Sequence, residues 1–206
     1  MKIAFRTHDL GVKGLEPAIK KCNDCGISAV QLVAYKFMDE LKYAPGQLNE
    51  VNSAAIGAAL KEAGIDVALI GAYFNPVHSD PEKVSNGVAV FKEYLKYCKN
   101  LGCNIVVSET GPYNDDKWTY NPLNRTPEAF GRVVMTFRGL AEYAADLGVN
   151  IGMEGAAGHC FYDVKTVTPA IKVINMPHLQ VISNLHNYPA ASHNQRHPQL
   201  LHLRVA

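Results

Sequence analysis

No apolar run in this 206-residue chain approaches the ~20 residues needed to cross a bilayer. Charge of one sign is lacking too. Twenty Lys and Arg stand against nineteen Asp and Glu, a formal net charge of +1. That balance gives no electrostatic footprint for nucleic acid or an anionic membrane. Neither G-x-G-x-x-G nor G-x-x-x-x-G-K-[ST] occurs, so nucleotide binding has no support. Cysteine is scarce and odd in number, five in all. These read as reduced thiols in a cytoplasmic protein, since a chain of this length does not need disulfide staples. Cys22-x-x-Cys25 lacks a partner pair and falls at a helix end, as do Cys98 and Cys103, so both read as packing. Met1-Lys2 leads straight into "IAFRTHDLG", too short and polar for a signal peptide, and the expected location is the cytoplasm.

What is present is an ordinary globular composition, 48% hydrophobic and 19% charged, with one repeated phrase. A helix end, a Gly and a polar residue lead into an apolar strand. The phrase reads "CGISAVQLVA", "AGIDVALIGA", "LGCNIVVSET" and "LGVNIGMEGA", with glycines at 26, 64, 102 and 148. Each Gly suits the left-handed position that closes a helix. Each strand is short and apolar on both faces, as a parallel strand covered on both sides should be. Between them, "LEPAIKKCNDC", "LNEVNSAAIGAALKEA", "EKVSNGVAVFKEYLKYCKNL" and "PEAFGRVVMTFRGLAEYAADL" carry apolar residues at helical spacing. Thr126-Pro127 and Asp80-Pro81 read as helix starts.

The pattern predicts strands over 2–7, 29–34, 66–71, 104–109, 150–154 and 179–184, with a helix after each of the first five. A regular βα repeat without a phosphate loop points to a (β/α)8 TIM-barrel type of α/β fold. Eight units need about 250 residues. The expectation is therefore one domain over 1–206 with about six βα units, lacking the last two, and an irregular tail over 189–206.

In such barrels the chemistry sits at the carboxyl ends of the strands. The first strand ends in Arg6, His8 and Asp9; the second offers only Tyr35 and Lys36. The third runs into Tyr73, Asn75 and His78, and the fourth ends in Glu109. The fifth gives Glu154 and His159, the sixth Asn184, His186 and Asn187. A Glu directly after an apolar strand is costly to bury unless paired or bound to a cation. Oxygen and imidazole donors together suit Mn²⁺, Mg²⁺, Co²⁺ or Zn²⁺. Glu154 is the leading candidate, with His8, Asn75, His78, Glu109 and His159 as candidate substrate contacts. Arg6 is read as closing an interior salt bridge. Tyr113, Trp118 and Tyr120, in the loop after the fourth strand, can cap a pocket, stack on a sugar face or simply pack. His193-x₃-His197 has metal-compatible spacing but lies in a Pro-interrupted tail and is not read as a site.

"GAYFNPVHSDPE", "LGCNIVVSETGPYN", "NIGMEGAAGH" and "LQVISNLHNY" together resemble the xylose isomerase-like barrel superfamily, specifically its sugar phosphate isomerase/epimerase proteins. The resemblance implies a divalent metal held by Glu after strand five, Asp after six, His after seven and Glu after eight. Glu154 fills the first place. Asn184 falls on the second, where an amide brings no charge; the last two have no counterpart. Asn187 and His159 match positions that contact substrate. The implied reaction is proton abstraction next to a carbonyl of a small sugar, with two carboxylates as acid and base. Glu109 and His78 are the alternative holders of the metal. The competing readings are a metal-dependent phosphodiester hydrolase of the abasic-site endonuclease type and a non-catalytic barrel remnant. The expected partner is a small-molecule sugar, with no nucleic acid or membrane. Uncovered sheet edges also lead one to expect self-association.

Overall fold

The structure is a computed structural model, and it describes residues 3–182. Among these, six parallel strands form one sheet in chain order: β1 (Phe5–Arg6), β2 (Ala29–Leu32), β3 (Asp66–Gly71), β4 (Ile105–Glu109), β5 (Asn150–Glu154) and β6 (Leu179–Ile182). The helices between them are α1 (Leu15–Asp24), α2 (Ala34–Phe37), α3 (Glu50–Glu62), α4 (Pro81–Tyr97), α5 (Pro127–Leu147) and α6 (Val164–Ile174). Sequential parallel strands joined by helices are the wall of a TIM-type barrel. The wall is open among the described residues, with β1 and β6 at its edges.

The helix signals act as their chemistry requires. Thr126 accepts a hydrogen bond from the Ala129 N–H and Asp80 from the Glu82 N–H, each with Pro in the first turn. All four repeat glycines have positive φ, between 61° and 78°. At Gly148 the N–H returns to the Ala144 and Ala145 carbonyls and stops α5.

Two expectations need correction. The first strand is two residues long rather than six, because Thr7–Asp9 turn into a 3₁₀ helix, and Phe5 and Arg6 are exposed at the edge. Burial on both faces also holds only for the central strands β4 and β5, not for β2, β3 and β6. The row Leu32, Ile70, Val106, Ile151 and Leu179 runs across the sheet in register and is buried. Gln31, Leu69, Gln180 and Ile182 remain only partly covered. On that inner face Val107 and Gly152 are buried at the centre, so it is half open only toward β2, β3 and β6, and the polar strand ends lie along its upper rim.

Cys22 is buried in α1, Cys25 is exposed, and all five thiols are free. Burial pushes the Cys98 thiol up to about 12, as an inert packing residue requires.

Candidate active site

Glu109 and Glu154 end β4 and β5 as register partners. Parallel pairing therefore sets two carboxylates side by side at the rim. Below them Val107 and Gly152 are partners as well, and Ile182 pairs with Glu154. A Cβ on Gly152 would run into Val107 Cγ1 and lie 2.9 Å from Ile182 Cγ1. The missing side chain lets those two apolar groups meet across β5 and floor the carboxylate pair.

Glu154 is 6% exposed. Burial, and then the Glu154 charge beside it, push the Glu109 carboxyl up to about 7, against the weaker pull of Lys36 and Arg6. Glu109 therefore shares a proton with solvent near neutrality. The Tyr73 hydroxyl lies 3.3 Å from Glu154 Oε2 and donates to it, while accepting from Gln31 Nε2. Burial, then the charges of Glu154 and Glu109, push the Tyr73 phenol far up, so it stays a donor. Gln31 does not stand out in the sequence, and Lys36 stands there at the end of the second strand without a role. Their signal is the register that brings β1, β2 and β3 together.

His8 follows β1. Burial first, then the Lys36 charge, lower its pKa, and its Nδ1 is buried with no hydrogen-bond partner. Lys36 and Arg6 act on both His8 and Glu109, and Asp9 opposes them at His8. Arg6 closes no interior salt bridge. It pairs with Asp9 at 2.6 Å, with both side chains about half exposed.

His159 is 4% exposed, under the Trp118 ring at 5.1 Å between centroids. Burial, and then Arg125, lower its pKa to about 4, so it is neutral at pH 7. Its Nδ1 is buried and has no partner.

Two other candidates have local engagements. The Asn75 amide donates to the Pro112 and Asp115 carbonyls and accepts from the Val77 N–H. It ties the segment after β3 to the segment after β4. His78 Nδ1 accepts from the Asp80 N–H at 2.9 Å, and Nε2 lies 3.4 Å from Asp116. Its ring thus faces the start of α4 and the Asp115–Asp116 turn. Asn184 and Asn187 lie outside the described residues, as do His186, His193 and His197. Among the described residues no three His, Cys, Asp or Glu side chains form a group able to hold a metal ion.

The loop after β4 is fastened at several points. Asn124 is buried, accepts from the Tyr113 N–H and donates to the Gly158 carbonyl. Arg125 donates to the carbonyls of Ala157, His159 and Cys160 and stacks 3.5 Å above the Tyr162 ring.

Residues 19–195 match the family model described as xylose isomerase-like TIM barrel. The chain belongs to that family. Its fold is similar to that of several solved xylose isomerase-like barrels. A D-psicose 3-epimerase crystallised in the presence of D-fructose is 19% identical with a TM-score of 0.66, over 88% of this chain and 62% of that one. A Mycobacterium smegmatis xylose isomerase-like TIM barrel protein in complex with magnesium is 13% identical at TM-score 0.68, over 90% and 65%. The E. coli 3-keto-D-glucoside 4-epimerase is 17% identical at TM-score 0.67, over 88% and 67%. The xylose isomerase-like chain thus spans less than two thirds of the first two. No curated protein matches it.

Proposed function

We propose that this chain carries the site of a sugar isomerase or epimerase that works with a divalent metal, and that Glu154 is both a ligand of that metal and a proton-transfer group. The observation that carries this reading is the register pairing of Glu109 with Glu154 at the rim of a xylose isomerase-like wall. Solved neighbours support the substrate class: two are named as sugar epimerases, and another was crystallised with magnesium.

Among the described residues the rim supplies two oxygen-donor side chains of the kind a hard cation takes, and the further donors would come from outside them. Two carboxylates stand together at the buried edge of the wall, and burial first, then the neighbouring Glu154 charge, let Glu109 hold its proton up to about 7. Mn²⁺, Mg²⁺, Co²⁺ or Zn²⁺ would be held by Glu154, with the Asn184 amide oxygen as the family's second position and Glu109 alongside. When bound, such an ion polarises a carbonyl or hydroxyl oxygen and makes the neighbouring C–H more acidic. Glu154 as carboxylate can then take that proton. Glu109, protonated part of the time at neutral pH, can return one. Neutral His159, its Nδ1 sealed beneath the Trp118 loop, would wall the site on the β5 side, and His8 would line the opposite side of the rim. Asn75, His78 and Asn187 remain candidate contacts, the first two acting through the loops they tie.

Glu154→Gln tests the assignment. It should abolish Mn²⁺ binding in titration calorimetry and leave the far-UV circular dichroism nearly unchanged. Equal Mn²⁺ affinity in both proteins would overturn it.

A further inference from the structure

Tyr73 lies just beyond β3, and its surroundings fix it from every side. Its ring folds back over Gly71, where a Cβ would lie 2.6 Å from Tyr73 Cε2 and 2.9 Å from Val33 Cγ2. Any side chain at 71 would displace the ring. The Lys36 ammonium sits over the ring, 5.0 Å from its centroid. The Tyr73 N–H donates to the Tyr35 hydroxyl at 3.2 Å. The phenol oxygen accepts from Gln31 Nε2. An amide N–H can only donate, so the Tyr73 proton is left to point elsewhere. The acceptor in reach is Glu154 Oε2 at 3.3 Å.

We infer that Tyr73 is a positioning residue for Glu154: with its proton aimed by Gln31, it holds Oε2 and so sets the direction in which the carboxylate meets a bound cation. Partners of this kind orient metal ligands, and their loss typically costs about 10–100-fold in metal affinity. Tyr73 itself would touch neither cation nor substrate. The inference rests on the reading of Glu154 as a metal ligand.

The test is Mn²⁺ affinity by titration calorimetry, at fixed pH, for wild type, Tyr73→Phe, Gln31→Leu and the double variant, each with its thermal unfolding midpoint. Tyr73→Phe should weaken Mn²⁺ binding by about 10–100-fold. Gln31→Leu should weaken it less, with Tyr73 still present. The double variant should bind no worse than Tyr73→Phe alone, since Gln31 acts through the hydroxyl already removed. A residue that merely packs would give losses that add and that follow the unfolding midpoints. Wild-type affinity in Tyr73→Phe, or additive losses, would overturn the positioning role alone. Should Tyr73→Phe fail to fold, wild-type affinity in Gln31→Leu would overturn it equally. Absence of Mn²⁺ binding by the wild type would overturn the metal reading, and this inference with it.

Discussion

His159 lies buried beneath Trp118, with a neutral ring and a pKa near 4. Its ordinary value is 6.5, so in the unfolded chain it takes up a proton that the folded chain refuses. Its contribution to stability is therefore complete above 6.5 and declines as pH falls from there toward 4. Urea unfolding of wild type and His159→Phe across that window should show a steeper acid loss in the wild type. Parallel curves would refute the buried neutral state. Single residues were legible where one chain segment sufficed. Glu154 announced itself as a charge directly after an apolar strand. Gln31 did not, and Lys36 stood at the end of the second strand without a role, because their meaning depends on β1, β2 and β3 lying in register around Tyr73. His78 and Asn75 looked like ligand contacts for the same reason that they make good loop ties: each places hydrogen-bonding groups just past a strand, where Asn75 donates to the Pro112 carbonyl and His78 accepts from the Asp80 N–H.

Elements were read more reliably than their faces. The glycine phrase placed β2 to β5 to within about two residues, because helix stop and strand start sit next to each other in sequence. It could not show that β1 would bend away after Arg6, nor that α2 would form over only Ala34–Phe37. Alternation within four or five apolar residues also hides which face the helices cover. Glycines separate these cases experimentally. Gly152→Ala would press a methyl into Val107 and Ile182 and should cost about 1–3 kcal/mol of stability. Gly139 lies inside α5 with open space around the site of a Cβ, so Gly139→Ala should raise stability by about 0.5–1 kcal/mol. Chemical unfolding of both variants checks the pair of signs; destabilisation by Gly139→Ala, or none by Gly152→Ala, would contradict the packing.

At the scale of the whole molecule, the inner face of the wall keeps Leu69 and Ile182 partly exposed, and Phe5 is 48% exposed at the β1 edge. Apolar area of this kind favours association, as do strand edges that are unpaired among the described residues. Sedimentation velocity should show dimers or larger species at micromolar concentration; a stable monomer with sharp cooperative unfolding would refute this. The barrel type was legible because the same unit recurs, and the site only in outline because its members come from strands far apart in sequence.

The ties from Asn75, Asn124 and Arg125 have a kinetic consequence. A loop fastened to its neighbours by backbone carbonyls has already lost its conformational freedom during folding, so little ordering is left for an arriving ligand to impose. The segment over 111–126 acts as a lintel, not a door. Ligand arrival should then proceed as one exponential phase whose rate rises linearly with concentration, without the plateau that a slow closing step would produce.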